Sequence, residues 1–323
     1  MTTTISVALC TYNGARFLPQ QLASIALQTR APDELVICDD GSTDETLRIA
    51  RDFADTCSFK VRIQVNARNI GSSKNFEQAI GLCTGDVIAL ADQDDVWRSD
   101  KLACIASAFA RAPDLGAIFS DALLIDMHGA RLGSSLWGSV GFSRSLRSAV
   151  QAGQGFDVLL LGNFVTGATL AFRAVWKNLL LPVPPGWVHD YWISLLSAAA
   201  SRLDCIDAPL IEYRCHPAQE RGVRNRGLAE RWRQFNALDD AAYRLAAAMR
   251  LELAARLRSY DALRLADPIA KCVAMAAHLQ RRGDLPSNRL LRMTTICRET
   301  ANGNYFRHSS GLKSILRDLL ASY

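Results

Sequence analysis

The chain has 323 residues, of which 49% are apolar, so it can bury a sizeable core, and wholesale disorder is excluded. No stretch approaches about 18 consecutive apolar residues, so we expect no transmembrane helix, and the N-terminus lacks the basic and apolar segments of a signal peptide. The nine cysteines form no CxxC pair and no zinc-ligand spacing. We therefore predict a cytoplasmic protein whose cysteines are buried free thiols.

The net charge of +5 is unevenly distributed along the chain. Residues 1–110 hold 10 Lys and Arg against 14 Asp and Glu, whereas residues 219–323 hold 19 against 10. A basic C-terminal region favours contact with anionic lipid headgroups or anionic substrates. A solvated, Arg-rich helical face explains the same composition equally well. We expect no nucleic-acid partner.

Apolar runs alternate with turn signals over the first part of the chain. Buried strands are predicted at residues 5–10, 34–38, 86–91 and 116–120, and a half-exposed strand at 60–65. Helices are predicted between them, at residues 16–28, from a Ser42 or Thr43 cap through 53, within NIGSSKNFEQAIGLC, and at 99–112. This alternation predicts an α/β fold with a largely parallel sheet and helices on both faces.

The rest of the chain shows a change from mixed to helical patterning. We predict a loop or hairpin region at 129–155, strand–turn–strand at 164–173, a Pro-rich break at 182–185 before a helix, and short strands at 203–206 and 210–214. From residue 227 the pattern is helical, with breaks at 267–268, 283–286 and 302–304. We therefore divide the chain into an α/β domain, 1–218, and a helical basic region, 219–323.

Polar turns follow three of the predicted strands, namely TYNG, DDGS and DQDD. Ligands of such sheets bind at the carboxyl ends of the strands. The carboxylates of DQDD, residues 92–95, repel one another unless a cation or solvent relieves them, although an acidic helix cap has the same composition. DDGSTDET, residues 39–46, fits either a helix cap or a carboxylate that accepts from a nucleobase N–H.

Two further residues carry side chains suited to catalysis or ligand binding. Asp190 follows a Pro-rich loop at the head of an apolar helix, where it caps the helix or acts as a general base. His216 follows the predicted strand IEYRC and is either a metal or phosphate ligand or a surface group.

The ordered series VALCTYNG, QLASIALQT, ELVICDDGSTDET, NIGSSKNFEQAI, GDVIALADQDDVW, FVTGATLAFR and HDYWISLLSA resembles the family 2 glycosyltransferases of the GT-A fold. The resemblance covers about residues 4–217. DQDD-V-W, HDYW and the C-terminal GLKSILRDLL are further similar to the bacterial rhamnosyltransferase-like branch, which builds O-antigen and exopolysaccharide chains.

The resemblance implies donor-binding residues from three parts of the sequence. The nucleotide base and ribose would be held by Thr11, Tyr12 and Asn13. Asp40 would bind the base with Asp39 as adjacent support, and Lys74 would approach the donor.

The resemblance also implies the metal site and the catalytic base. Asp92 and Asp94 match the D-x-D motif, in which Asp94 ligates Mg²⁺ or Mn²⁺ and Asp92 contacts the ribose or a metal-bound water. Asp190 matches the general base. His216 matches a histidine near the diphosphate and is a second candidate metal ligand, although Pro217 follows it where many relatives carry Gly or Ser. These roles require the turns that carry Asp40, Asp94 and Asp190 to converge on one cleft.

The implied function is metal-dependent, inverting transfer of a sugar from a nucleotide-diphosphate donor to an acceptor hydroxyl in cell-surface polysaccharide synthesis. The resemblance suggests L-rhamnose from dTDP-rhamnose, a lipid-linked saccharide acceptor, peripheral contact with the inner face of the cell membrane, and homo-oligomers. Two alternatives stay open. A sugar nucleotidyltransferase requires a Gly-rich, basic loop after the first strand, which TYNGARF matches poorly. A non-catalytic nucleotide-sugar or glycan binding protein would keep the same fold.

Overall fold

The computed structural model describes residues 3–217, 219, 240–261 and 264–320. Contacts divide the chain into two compact units, the first being Met1–Leu159 with Asn163–Arg224 and the second Leu160–Gly162 with Asn225–Tyr323. The predicted boundary between residues 218 and 219 falls beside residues outside the described part, so it stays a prediction.

The first unit is built on one sheet, whose described strands have the order β3-β2-β1-β4-β8-β6-β9-β5, with β7 paired to β6. The strands are β1 Ile5–Thr11, β2 Glu34–Asp39, β3 Lys60–Val65, β4 Val87–Asp92, β5 Val96–Trp97, β6 Leu115–Ile125, β7 Arg131–Ser135, β8 Leu170–Arg173 and β9 Arg202–Arg214. β1 and β2 are buried along their whole length, which explains why their sequences read as continuous apolar runs.

Helices connect the strands, and their bounds follow the predicted pattern in the first half of the chain. They are α1 Leu18–Ala26, α2 Thr46–Thr56, α3 Ser72–Leu82, α4 Lys101–Arg111, α5 Leu136–Val140, α6 Arg144–Ala149, α7 Gly155–Leu161, α8 Lys177–Leu180 and α9 His189–Ala200. Leu18, Leu22 and Ile25 of α1 pack into the core beside β1, so the predicted apolar spacing marks the buried face of that helix.

The sheet is mixed rather than largely parallel. β3, β2, β1 and β4 are parallel to one another, but β8 pairs antiparallel with both β4 and β6. β6 then pairs in parallel with β9 along its full length. The carboxyl ends of β1, β2 and β4 therefore lie side by side at one edge, as the polar turns predict.

Several predicted local elements differ from the structure. Of the loop or hairpin predicted at residues 129–155, the hairpin is present, because β7 pairs antiparallel with β6; two short helices capped by Ser135 and Ser143, which were not predicted, follow it. Residues 164–173 contain one strand, β8, and residues 202–214 form one strand instead of two. Helix α2 has Glu45 at its N-cap, so neither Ser42 nor Thr43 serves as the predicted cap.

The second unit is helical in all its described parts after residue 239. Its helices are α10 Asp240–Asp261, α11 Ala266–Gly283, α12 Arg289–Ala301, α13 Asn304–His308 and α14 Leu312–Leu320. The predicted breaks at 283–286 and 302–304 are confirmed. The predicted break at 267–268 is placed a few residues too late: α10 ends at Asp261 and α11 begins at Ala266, so Pro268 lies in the first turn of α11, where proline is tolerated. None of the helices in the described ranges is both long and apolar enough to cross a membrane.

Candidate active site

A cleft of about 520 Å³ opens in the first unit at the carboxyl ends of β1 and β4. Asp40 after β2, Asp92 and Asp94 at the end of β4, and Asp190 in the first turn of α9 all line it. His216, two residues after β9, lines the same cleft. The structure thus brings together residues from four separate turns, as the sequence predicts.

The turn after β1 is joined to the turn after β4 through one side-chain amide. Gln93 Nε2 donates to the Tyr12 carbonyl (3.0 Å), and Gln93 Oε1 accepts from the Tyr12 N–H (2.9 Å). Gly14 leaves room for this pair, since a Cβ there would lie 2.0 Å from Gln93 Oε1. The Tyr12 side chain is 46% exposed and lines the cleft, where a flat ligand can stack on its ring.

Asp39 and Asn13 hold the loop after β2 and do not line the cleft as described. The buried Asp39 carboxylate accepts from Thr11 Oγ1 (2.8 Å), the Ser42 hydroxyl (2.6 Å) and the Ser42 N–H (2.8 Å). Asn13 has a left-handed φ of 46°, and its Oδ1 accepts from the Thr43 N–H (2.9 Å). Of this group only Thr11 lines the cleft, so Asp39 and Asn13 support the loop in this structure, and their part in donor binding stays a prediction.

Asp40 lines the cleft, but its carboxylate is engaged by the loop before α3. Its Oδ1 accepts from Asn66 Nδ2 (2.9 Å) and from the Ile70 N–H (2.9 Å), and its Oδ2 accepts from the Gly71 N–H (2.9 Å). Gly71 lines the cleft as well. Asp40 thus shapes one wall of the cleft through this loop, and its contact with a nucleobase stays a prediction.

Asp94 and His216 face each other on the cleft. Asp94 Oδ2 lies 2.8 Å from His216 Nε2 and 3.5 Å from Gln219 Nε2. The His216 ring packs on Phe17 of the loop before α1, with the ring centroids 4.9 Å apart. The carboxylate and the imidazole predicted as metal ligands therefore lie side by side, even though Pro217 follows His216.

Arg214, which the sequence did not identify, holds the DQDD turn from the protein interior. Its Nε donates to the Asp94 carbonyl (2.8 Å), its backbone N–H to Asp95 Oδ1 (3.0 Å), and its Nη2 to Gln20 Oε1 (2.7 Å). The residue is 2% exposed, and its guanidinium lies 4.8 Å from the centroid of the Phe17 ring. A guanidinium with a fixed fork of donors is well suited to orienting this turn.

Carboxylates are crowded in and beneath the cleft. Burial, with the charges of Asp94 and Asp92, holds the pKa of Asp95 well above its ordinary value. Lys101 is also buried and donates to the Ala168 carbonyl (2.6 Å). Burial lowers the pKa of Lys101 to about 7, against the opposing effect of Asp95 and Asp92. Asp92 and Asp94 are the carboxyl groups of this cluster that line the cleft, and their closeness favours a bound cation.

Asp190 is oriented by the segment that precedes β8. Asn163 Nδ2 donates to Asp190 Oδ1 (3.2 Å), and the Gly167 N–H donates to Asp190 Oδ2 (3.1 Å). A Cβ at position 167 would lie 2.9 Å from His189 Nε2, so a larger residue there would force His189 to shift. Both oxygens of Asp190 are thus positioned by donors while the residue lines the cleft.

Lys74 is not brought to the cleft as the structure describes it. Its Nζ bonds Glu77 Oε2 (2.8 Å) and donates to the Val183 carbonyl (3.1 Å). Glu77 Oε2 also accepts from the Val183 N–H (2.9 Å). Lys74 therefore ties α3 to the Pro-rich segment before α9, and the geometry does not support the predicted approach to the donor.

The residues present fit a divalent cation only in part. Within the described ranges, no group of three or more His, Cys, Asp and Glu side chains is arranged to hold a metal ion. Asp94 and His216 supply one carboxylate and one imidazole, a set that suits Mn²⁺ and, less well, Mg²⁺. These two fit a cation whose remaining ligands come from a bound phosphate or water.

The residues that the sequence did not identify act by positioning others. Gln93, Arg214, Asn163 and Gly167 contact Tyr12, the DQDD turn or Asp190. Gln93 and Arg214 stand inside the segments DQDD and IEYRC, but neither segment indicates which residue the side chain contacts. Asn163 lies 27 residues before Asp190 and carries no local signal.

Residues 6–121 match the family model for glycosyl transferase family 2. The uncharacterized glycosyltransferase alr2836 of Nostoc sp. is 28% identical over 221 residues, which are 66% of this chain and 65% of that protein. The match thus spans slightly less than two-thirds of the relative's length.

Two solved structures resemble the whole chain. Residues 1–349 of Staphylococcus aureus TarS, in complex with UDP-GlcNAc, align with a TM-score of 0.57 and 15% identity over 97% of this chain and 92% of that one. The mannosyltransferase PcManGT of Pyrobaculum calidifontis, in complex with GDP-Man and Mn²⁺, aligns with a TM-score of 0.52 and 19% identity over 98% and 86%. At these sequence identities the similarity shows a shared fold only. It confirms the GT-A fold class followed by a helical C-terminal region.

Proposed function

We propose that this chain, whose residues 6–121 match the family 2 glycosyltransferase model, transfers a sugar from a nucleotide-diphosphate donor to an acceptor hydroxyl, with inversion at the anomeric carbon. The observation that supports this most is the meeting of Asp94, His216 and Asp190 in one cleft at the carboxyl ends of the strands. A single displacement requires a general base for the acceptor hydroxyl and a site that stabilises the negative charge of the leaving diphosphate.

The nucleoside end of the donor would bind beside Tyr12. The exposed Tyr12 ring can stack on the base, and Thr11 and Asp40 line the cleft next to it. Asp92 lines the same cleft and pairs in register with Cys10 near the end of β1, which suits a contact with the ribose. TarS with UDP-GlcNAc and PcManGT with GDP-Man support a nucleotide sugar as the class of ligand.

Asp94 and His216 would hold Mg²⁺ or Mn²⁺ together with the donor. Bound there, the cation would supply positive charge beside the diphosphate as it leaves. The Mn²⁺ in PcManGT supports this choice. Arg214 and Gln219 keep Asp94 and His216 in place, so the chain itself contributes orientation to this site.

Asp190 would act as the general base. Its oxygens are oriented by Asn163 and Gly167, and it would take the proton from the acceptor hydroxyl as that oxygen attacks C1 from the face opposite the diphosphate. One displacement inverts the anomeric centre, so no second carboxylate is needed as a nucleophile, unlike in retaining glycosidases.

The sugar and the acceptor are proposed from the sequence resemblance. DQDD-V-W and HDYW favour L-rhamnose from dTDP-rhamnose as the first donor to test. The acceptor we propose is a lipid-linked saccharide at the inner face of the cell membrane, used for O-antigen or exopolysaccharide synthesis.

Incubation of the purified chain with dTDP-rhamnose, UDP-sugars or GDP-sugars, Mn²⁺ or Mg²⁺, and a saccharide acceptor tests the proposal. Acceptor-dependent release of a nucleoside diphosphate, with an inverted glycosidic product, is expected. Tight donor binding without release across the panel would indicate a binding protein. Pyrophosphate release from a nucleoside triphosphate and a sugar phosphate would indicate a nucleotidyltransferase.

A further inference from the structure

Helix α14 turns its apolar side outward. Its leucines are exposed: Leu312 67%, Leu316 57%, Leu319 37% and Leu320 79%. Ser314 and Asp318 are only 4% and 1% exposed. Residues four, seven and eight positions apart share one face of a helix, so the leucines form a single stripe. This is the reverse of the usual helix in a globular domain, which buries its apolar stripe.

A buried polar network fixes this orientation. The Asp318 carboxylate accepts from Arg282 Nε (2.7 Å) and Nη2 (2.9 Å) and from the Tyr305 hydroxyl (2.7 Å). Turning α14 to bury its leucines would separate Asp318 from these donors and leave the buried Arg282 without its carboxylate partner, which is strongly unfavourable. The leucines are therefore held outward by the polar side of their own helix.

Phe306 of α13 extends the apolar surface. Its ring is 57% exposed and lies against Gly311, where a Cβ would come within 3.0 Å of the ring. Gly311 directly precedes Leu312, so the ring adjoins the start of the stripe. We call Phe306 and the four leucines of α14 the leucine face.

The chain segment that carries the leucine face is cationic at its exposed positions. Between residues 285 and 320 the only acidic residues are Glu299 and Asp318, and both are buried. Arg289, Arg298, Arg307 and Lys313, in contrast, are exposed. Lys313 stands within α14 and Arg307 is adjacent to Phe306, so positive charge borders the apolar stripe.

We infer that the leucine face docks this protein on an anionic lipid bilayer surface. Exposed leucines and phenylalanine enter the boundary between headgroups and acyl chains, and the bordering Arg and Lys side chains attract anionic headgroups. A second copy that packs its leucine face on this one fits less well, because Arg307 and Lys313 would bring positive charge to the same contact from both copies. Docking would bring the protein to the lipid-linked acceptor of the proposed function, and in that respect it rests on that proposal; binding to a bilayer can nevertheless be measured without sugar transfer.

Flotation with vesicles tests this inference on the full chain without any donor. Vesicles of phosphatidylcholine with about one-third phosphatidylglycerol are expected to carry the protein at low salt, and pure phosphatidylcholine vesicles are not. The double variant Leu316→Gln/Leu320→Gln is expected to lower the partition coefficient by at least about tenfold. Lys313→Gln should weaken binding to anionic vesicles by several-fold.

The matched control is Leu245→Gln/Leu251→Gln on α10, where the leucines are 64% and 50% exposed in the same unit. This control should bind vesicles as the unchanged chain does, and all variants should keep the same thermal unfolding midpoint. The inference is overturned if the unchanged chain fails to float with anionic vesicles at low salt, or if the α14 variant floats equally well. Light scattering that shows a dimer lost in the α14 variant would assign the face to a second copy instead. None of these results decides whether the chain transfers a sugar, which the nucleoside diphosphate release assay tests separately.

Discussion

At the residue scale, the candidate site depends on a few side chains that hold others in place. Asp190 contacts Asn163 and Gly167, and Asp94 contacts His216 while its backbone carbonyl accepts from Arg214. A proton acceptor and a cation ligand must be held to within a fraction of an ångström to be effective. These fixed contacts are where single substitutions have the clearest expected effects.

Asp190→Asn should lower kcat by about 10²–10⁴ while donor binding stays near normal, because the amide keeps the shape of the side chain but cannot take a proton. Steady-state rates and calorimetric donor binding measure the two effects separately. Asp207→Asn, which alters an exposed carboxylate in the same unit, should leave both unchanged. Turnover of the Asp190 variant close to normal would remove Asp190 from the role of base.

Arg214→Lys should raise the cation concentration needed for half-maximal activity by about 10–100-fold, since groups that orient metal ligands affect affinity by such factors. Lysine keeps the charge but lacks the fork that reaches both the Asp94 carbonyl and Gln20. Arg202→Lys, on the same strand and paired with Asp114, is the control. An unchanged cation requirement would contradict the positioning role.

The sequence predicted which charged residues meet, but not which of the neighbouring polar residues line the cleft. Asp40, Asp94 and Asp190 stand at the ends of recognisable strands or at a helix head, so topology alone brings them together. Asp39 and Asn13 stand in the same turns, yet their side chains bond Ser42 and Thr43. Consecutive residues at a strand end point their side chains in opposite directions. The apolar pattern of the sequence does not show which loop each of these side chains will contact.

At the element scale, helices α11 to α14 are joined by a buried polar network. His278 is fully buried, and its Nδ1 lies 2.8 Å from Glu299 Oε2 while its Nε2 lies 3.0 Å from Ser309 Oγ. Burial lowers the pKa of His278, against the opposing effect of Glu299. The pKa of Glu299 is also lowered, because hydrogen bonds from His278, Asn304 and Arg281 outweigh its burial.

These two shifts predict that the second unit loses stability on acidification. Both groups bind protons more weakly when folded than when unfolded, so their contribution is present at neutral pH. It declines as the pH falls below about 6.5 for His278 and below about 4.5 for Glu299, and continues to fall through their lowered folded pKa values. Thermal unfolding midpoints between pH 7.5 and 4 should therefore decrease.

His278→Gln should destabilise the chain at pH 7.5 by about 1–3 kcal/mol, because it removes buried hydrogen bonds. The difference in the free energy of unfolding between the variant and the unchanged chain should be smaller at pH 5. The unchanged chain loses stability there because His278 titrates, whereas glutamine does not. Denaturant unfolding at the two pH values measures this, with His128→Gln at an exposed position as the control. A difference that is independent of pH would contradict the assignment of the titration to His278.

Element prediction succeeded where apolar patterning decides the structure and failed where side-chain capping or long-range pairing decides it. β1, β2 and β4 are buried runs with turn residues at their ends, and their bounds follow from composition. Residues 129–155 are rich in Gly and Ser, yet Ser135 and Ser143 accept from backbone N–H groups and begin short helices. β9 continues across Pro209 because β6 pairs with it on both sides of an irregularity in register.

At the scale of the whole molecule, binding of donor should stabilise the native state. A ligand that binds only the folded chain raises its stability by about 2.7 kcal/mol at a hundredfold excess over its dissociation constant. Donor with Mn²⁺ should therefore raise the unfolding midpoint by several degrees, and a chelator should remove most of that increase. Asp94→Ala should abolish the cation-dependent part, whereas Asp267→Ala, an exposed carboxylate in the second unit, should retain it. If the unfolding midpoint rose by the same amount when a chelator was present, a bound cation would not be needed for donor binding.

The pairing of β6 with β9 has a consequence for synthesis on the ribosome. Ile125 ends β6 and Arg214 ends β9, so about 90 residues must be added before the edge of β6 finds its partner. At about 5–20 residues per second, that edge waits roughly 5 to 20 seconds. A long apolar strand left open for this time can pair with another chain. A nascent protein that stalls before residue 202 should thus be a target for chaperones, because its sheet ends in an unsatisfied strand.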